Sequence, residues 1–251
     1  AETFRDYGID PLQVKAEDDV RRFLFVLHTY YSLILKMLSF RILDDLFQFL
    51  SIMKQIQMDP YAGLRTAEES FPRLAVNVVE KDVFSWFEDA WTSDIGGVVK
   101  TIAERIQRYD VRGVRTDVLK RVYQNLIPPK LRKSLGEFYT KDWTAKLILD
   151  EIGYDGKGTI LDPACGSGTF LVEAIHKLKS GFAGEPAGRI LERIIDSVKG
   201  FDINPMAVMT ARLNYLLSIL DLLRETSGGV KIPVYLCDAV KLPRERRWEE
   251  R

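Results

Sequence analysis

The sequence predicts an α/β protein in two parts: an all-helical N-terminal region, then a partial parallel sheet wrapped by helices. Three observations carry that expectation. Up to about residue 130 the pattern is helical and almost free of strand-like runs. After Pro128-Pro129, apolar strand-like runs alternate with helical ones, the habit of crossover units that build parallel sheets. Only three such strands precede Arg251, where a complete doubly wound sheet has about five to seven. The expected domains are therefore 1–130, helical, and 131–251, the N-terminal part of a longer α/β domain.

Ala16 to Gln57 reads as one long helix or two abutting ones, opened by Glu17, Asp18 and Asp19, where a helix N-terminus favours negative charge, and ended by Pro60. Phe71 to Trp91 is ambiguous at first and then helical. Gly96-Gly97 is expected to break the chain before another helix, and a further helix spans Thr116 to Leu126. In the second part the expected order is helix Asp142–Ile152, strand Thr159–Asp162, helix Gly168–Lys179 and helix Ala187–Ser197. Strand Val198–Asp202, helix Pro205–Leu223 and strand Pro233–Cys237 follow.

Composition excludes little: 46% of residues are apolar, 29% charged, and 36 basic residues balance 36 acidic ones. That balance argues against a strongly cationic coat for nucleic acid while leaving local patches open. One such patch runs from 100 to 133. There Lys100, Arg105, Arg108, Arg112, Arg115, Lys120, Arg121, Lys130, Arg132 and Lys133 face only Glu104, Asp110 and Asp117. It reads either as a solvated helix face or as a strip that contacts phosphates.

Cys165 and Cys237 are the only cysteines, so neither a disulfide framework nor a metal site is expected, and a reducing, cytoplasmic setting is the default. The chain opens on Ala with no charged-then-apolar leader. The most apolar run, Phe23 to Leu38, contains His28, Tyr30, Tyr31, Ser32 and Lys36; a bilayer span needs roughly 20 nearly uninterrupted apolar residues, so a buried helix is expected. His28 and His176 read as packing or surface residues, Cys165 as a small packing residue, and Trp86 and Trp91 as a helix-packing stripe.

LDPACGSGTFL, 161–171, is the stretch that points to a ligand. Gly166 and Gly168 fall between a strand and a helix start, where free N–H groups and the helix dipole receive polar groups and missing Cβ atoms admit close approach. A phosphate loop would continue into Gly-Lys-Ser/Thr, and here Thr169-Phe170-Leu171 follows. A dinucleotide loop would place a third glycine where Leu171 stands. What remains is a loop for a smaller zwitterionic group beside an adenosine. Asp202 ends one strand and Asp238 follows the next, so both acids face the crevice where open α/β sheets bind ligands. One carboxylate can hold ribose hydroxyls and the other an adenine amino group. A lone strand-end Asp is more often a turn or cap residue, but two of them in sequence with the loop favour a ligand.

GEFYT (136–140), LDPACGSGTFL (161–171), GFDINPMAV (200–208) and VYLCDA (234–239), in that order, resemble the amino-terminal half of adenine-N6 DNA methyltransferases of restriction–modification systems. The likeness is to the γ-arranged enzymes, type I modification subunits and fused restriction-methylation enzymes, and covers about residues 115 to 240. It implies a partial Rossmann-like sheet and S-adenosylmethionine as cofactor. Phe138, Tyr139 and Thr140 would line the methionine and adenosine side; Asp162, Ala164, Gly166 and Gly168 would form the loop around the methionine moiety. Asp202 would bind both ribose hydroxyls, Ile203 would pack on the adenine, and Asp238 would accept from its amino group beside the Ala239 backbone. One departure shows: Lys141 stands where the family usually has Pro.

The resemblance also implies an Asn/Asp-Pro-Pro-Tyr/Phe tetrapeptide, which holds the exocyclic amine and stacks on the flipped-out base. The nearest strings are Ile-Pro-Pro-Lys (127–130) and Ile-Asn-Pro-Met (203–206), and neither qualifies. No catalytic residue is therefore expected here, and the fragment alone is expected to be inactive. Implied partners are double-stranded DNA, through the parent protein, and a specificity or nuclease subunit or domain. An RNA or protein N-methyltransferase fragment, or a non-catalytic assembly module, remains open at this point.

Overall fold

The computed structural model describes residues 17–47, 51–70, 77–78, 81–109, 140–226 and 230–241. The expected helix at Thr116–Leu126 and the basic strip beyond residue 109 lie outside them; the described part of that strip, Lys100, Arg105 and Arg108, is exposed. Chain contacts divide the protein into two units, 1–138 and 139–251.

In the first unit every described element is helical. α1 (Glu17–Phe47) buries Leu27, Tyr31, Leu33, Leu35, Met37, Phe40 and Leu43, apolar side chains spread around much of its circumference, and packs on α2 and α5. α2 (Ile52–Met58) is a separate helix, so the two-helix alternative holds. Its first N–H groups are satisfied from α1: both oxygens of Asp44 accept, from Ile52 at 2.9 Å and Met53 at 2.8 Å.

Pro60 ends that run, but it also opens α3 (Pro60–Ser70), a helix the sequence reading did not include. Proline suits a first helical position, where its missing N–H has no intrahelical partner, and the Asp59 carboxylate accepts from Ala62 at 3.1 Å. A 3-10 turn at Val83–Ser85 leads into α4 (Trp86–Asp89). α5 (Ser93–Gln107) corrects a second expectation: it runs straight through Gly96-Gly97. Thr92 caps it by accepting from Ile95 at 3.3 Å, and the buried Val99, Ile102, Ala103 and Ile106 hold its apolar face. Two glycines cost a helix only about 1 kcal/mol each relative to alanine, which such packing exceeds.

The first unit also buries a cation. Lys36 is 1% exposed, donates to Ser85 Oγ at 2.6 Å, and pairs with Glu68 at 3.4 Å and Glu88 at 3.6 Å. Burial pushes the Glu68 carboxyl above the usual carboxylate range, with Lys36 opposing that rise and Glu88 adding to it.

The second unit holds a three-stranded parallel sheet in the order β1 (Ile160–Asp162), β2 (Val198–Asp202), β3 (Val234–Leu236). Ile160 stands opposite Val198 and Gly200 opposite Val234. α6 (Asp142–Glu151) precedes the sheet; α7 (Thr169–Gly181) and α8 (Ala187–Ser197) connect β1 to β2, and α9 (Pro205–Arg224) connects β2 to β3. The core joins Leu171, Ala174 and Ile175 of α7, Ile194 of α8, Val198 and Val234 of the sheet, and Tyr215, Leu216 and Ile219 of α9. The Tyr215 hydroxyl lies between the carbonyls of Ile194 (3.0 Å) and Val198 (3.1 Å), tying α9 to the α8–β2 junction. Gly200 lets α7 press on the sheet: a Cβ there would stand 2.7 Å from Leu171 Cδ1.

By length and composition, segments Asp18–Leu46 and Pro205–Arg224 are apolar enough to cross a membrane, and 56% and 72% of their most apolar windows are buried within the protein.

Candidate cofactor-binding site

The carboxyl ends of the three strands carry three acids, each of which folds back on its own turn. Asp162 Oδ1 accepts from Ala164 N–H at 3.1 Å, Asp202 Oδ1 from Asn204 at 2.8 Å, and Asp238 Oδ1 from Val240 at 3.0 Å and Lys241 at 3.2 Å. The turn role that strand-end Asp residues commonly play is thus present at all three. Asp202 does more. Its Oδ2 accepts from the Gly166 N–H at 2.8 Å, across 36 residues of chain.

That contact is one of three that shape the loop after β1. Cys165 N–H donates to Phe201 O at 2.8 Å, extending the attachment of the loop to β2 beyond the ladder. The Asn214 side chain, on α9, donates to Ser167 O at 2.8 Å. Within the loop, Gly168 N–H closes a turn on Cys165 O at 2.7 Å, and Gly168 then caps α7. Cys165 is buried beside Asp162 and Asp202, and burial pushes its thiol well above the usual range, as suits a small packing side chain.

The two loop glycines do different jobs. Both have positive φ, +53° at Gly166 and +82° at Gly168. A Cβ on Gly168 would stand 3.2 Å from Ala211 Cβ and 3.3 Å from its Cα, so this glycine lets α9 close on the loop. A Cβ on Gly166 would meet nothing within 4 Å: its backbone faces open space beside the Asp202 carboxylate. Burial also lifts the Asp162 carboxyl above the usual range; its bond from Ala164 opposes this and the Asp202 charge adds to it.

The structure therefore joins Asp162, Ala164, Gly166, Gly168 and Asp202 in one bonded loop, with Cys237 N–H linking β3 to Asp202 O at 2.9 Å just ahead of Asp238 and Ala239. Ile203 directly follows Asp202 and is 70% exposed. Phe138 and Tyr139 lie outside the described residues. Thr140 is half-buried and precedes Lys141, whose φ of −73° is one that proline could also adopt. Among the described residues, cavities of about 340 and 300 Å³ also lie around Leu191 and Thr226 and around Tyr61 and Glu88. What marks the strand-end crevice is the bonding around its loop.

Sequence reading missed Asn214 and Ala211. A signal existed: in the apolar helix α9, Thr210, Asn214 and Ser218 recur at a spacing of four and are all buried, a polar line on one face of a core helix.

Residues 114–224 match the family described as N-6 DNA Methylase. The adenine-specific methyltransferase PglX of Streptomyces coelicolor is 31% identical over 137 residues, which are 50% of this chain and 11% of that protein. The type I restriction enzyme MjaIX methylase subunit of Methanocaldococcus jannaschii is 36% identical over 46% of this chain and 19% of its own length. The MjaVII methylase subunit of the same organism is 28% identical over 56% of this chain and 21% of its own. The matched regions thus span about a fifth or less of these relatives' lengths. A modification subunit of a putative type I restriction enzyme from Vibrio vulnificus aligns over 91% of this chain and 53% of its own at a TM-score of 0.46 and 14% identity, a likeness too distant to bear on the site. Four motifs, a family match across three of them and identities of 28–36% to curated methylases agree: the chain carries the N-6 DNA methylase pattern, and its likeness to the adenine-N6 methyltransferases of restriction–modification systems holds.

Proposed function

We propose that the crevice at the strand ends binds S-adenosylmethionine, and that this chain is the cofactor-binding part of a cytoplasmic, site-specific DNA adenine-N6 methyltransferase from a restriction–modification system. The observation that carries this reading is Gly166, whose backbone faces open space where a Cβ would meet nothing, while its N–H is held by the strand-end acid Asp202. A loop pinned from behind and open in front suits a ligand that lies directly on its backbone.

The donor and acceptor set fits the cofactor. Asp162 and Asp202 bring negative charge to the side that would receive the ammonium and sulfonium of the methionine moiety, around Ala164, Gly166 and Gly168. A carboxylate has about four lone-pair sites, and two of Asp202's are taken by Gly166 and Asn204, which leaves capacity for ribose hydroxyls. Exposed Ile203 offers an apolar face to adenine, with Asp238 as acceptor for its amino group beside Ala239. The family resemblance assigns the methionine and adenosine side to Phe138, Tyr139 and Thr140, the first two of which lie outside the described residues. Bound there, S-adenosylmethionine supplies an electrophilic methyl group.

The 251 residues contain no Asn/Asp-Pro-Pro-Tyr/Phe tetrapeptide. In this reading the residues described here hold the cofactor, while residues outside this sequence orient the adenine amine, and methyl transfer needs both. Double-stranded DNA and a specificity or nuclease subunit or domain are the proposed partners of the parent protein.

Calorimetric titration of S-adenosylmethionine into the folded chain tests the reading, with Asp202→Ala and NAD as controls. Saturable binding by the chain that drops at least tenfold in Asp202→Ala is expected. Preferential binding of NAD, or no saturable binding, would overturn it.

A further inference from the structure

We propose that Asn214, on α9, is a positioning residue that sets the shape of the cofactor loop from behind, and so tunes affinity for the methionine end of the ligand. The inference rests on the S-adenosylmethionine reading of the crevice. Asn214 is 0% exposed, and its amide N–H donates to Ser167 O at 2.8 Å, Ser167 itself being 4% exposed. Its Oδ1 is buried without a hydrogen-bond partner among the described residues. A buried acceptor left unpaired costs stability, so a residue retained only for packing would favour an apolar side chain here. What the amide provides is one bond, to the middle of the loop.

The position of that bond matters. Ser167 lies between Gly166, whose backbone faces open space, and Gly168, which rests against Ala211 one turn earlier on the same helix. Asp202 holds the N–H of the 165–166 peptide from β2, and Asn214 holds the carbonyl of the 167–168 peptide from α9, with the 166–167 peptide between them. The two contacts bracket the loop and fix which way the 166–168 peptides turn. Loops held in their bound shape spare the ligand the ordering cost. The polar line of α9 continues in Ser218, whose hydroxyl donates to the Asn214 carbonyl at 2.8 Å and leaves the side-chain amide to the loop.

Replacing Asn214 by Leu removes one buried unpaired acceptor, Oδ1, and creates another, Ser167 O. Overall stability then changes little, and the penalty moves onto the loop. The test is binding and thermal melting of the full chain and of Asn214→Leu, with S-adenosylmethionine and with adenosine as probes. The expected result is a melting temperature close to that of the parent chain, an S-adenosylmethionine Kd raised about tenfold, and an adenosine Kd unchanged within about twofold. A purely structural residue would lower the melting temperature and weaken both ligands together, and that result would overturn the proposal. So would an unchanged S-adenosylmethionine Kd. If Asn214→Leu does not fold, Asn214→Ser, whose hydroxyl is too short to reach Ser167 O, carries the same comparison. Failure of the parent chain to bind either probe overturns the cofactor reading itself, and is distinct from a parent that binds alongside a variant that binds equally well.

Discussion

The two units bury polar groups to different ends. In the first, Lys36 is sealed among Ser85, Glu68 and Glu88, and Asp44 is spent on the first N–H groups of α2, so each polar side chain secures one helix to another. In the second, Asp162, Asp202 and Asn214 all direct bonds at the backbone of one short loop. Buried polarity in the first unit locks packing. In the second, Tyr215 does the same for α9, and the polar groups at the strand ends also shape a surface that stays open. The contrast teaches that the same desolvation cost can serve either rigidity or recognition, and the partner shows which: side chain and helix end in one case, a loop peptide in the other.

Breaking the first pattern has the largest expected effect. Lys36→Ala takes the buried cation from Glu68 and leaves Glu88 only the half-exposed Lys81 at 3.6 Å, and removal of one partner from a buried pair costs about 3–5 kcal/mol. Urea or thermal unfolding should show a loss of that size at neutral pH. The loss should shrink in acid, where Glu68, its pKa already raised, becomes protonated.

Breaking the second pattern should separate binding from stability. Gly166→Ala places a methyl group in open space, so its stability cost is only that of a left-handed alanine, about 1–2 kcal/mol. That methyl occupies the proposed ligand space, and affinity for S-adenosylmethionine should fall at least tenfold, or about 1.4 kcal/mol. Unchanged affinity in this variant would mean that the loop does not face the ligand.

The smallest effect is one of pH. Because the Asp162 pKa is raised in the folded chain, its contribution to stability is full in acid and is lost as pH rises through that raised value. Affinity for a cationic ligand runs the other way. S-adenosylmethionine binding should weaken severalfold as the pH falls from 7 toward the carboxylate range, and Asp162→Asn should flatten that part of the profile. Titrations at several pH values check both.

The second unit was more legible than the first. Val198–Asp202 and Ala187–Ser197 fall where the sequence put them, because helices between parallel strands switch the apolar period from one unmistakable pattern to another. The loop was readable because its two glycines sit at a strand-to-helix junction, where few chemistries need both. The misreadings in the first unit share one cause. Local propensity makes Pro60 and Gly96-Gly97 breakers, yet one is an ordinary first helical residue and the others are held by packing that propensity ignores. The Lys36 cluster was not legible at all, since its partners lie 32 and 49 residues away in sequence for Glu68 and Ser85. Asn214 left only a faint trace, because one polar residue in an apolar helix shows its purpose only when its partner is seen.

The central claim is that the strand-end crevice, and no other cavity, holds the cofactor. Amide hydrogen exchange of the folded chain, with and without saturating S-adenosylmethionine, tests it most directly. The account predicts added protection at Gly166 to Thr169, at Ile203 and Asn204, and at Ala239 and Val240, with little change around Thr226 and Val230. Protection confined to the cavity beside Leu191 and Thr226, or none at the loop, would contradict it.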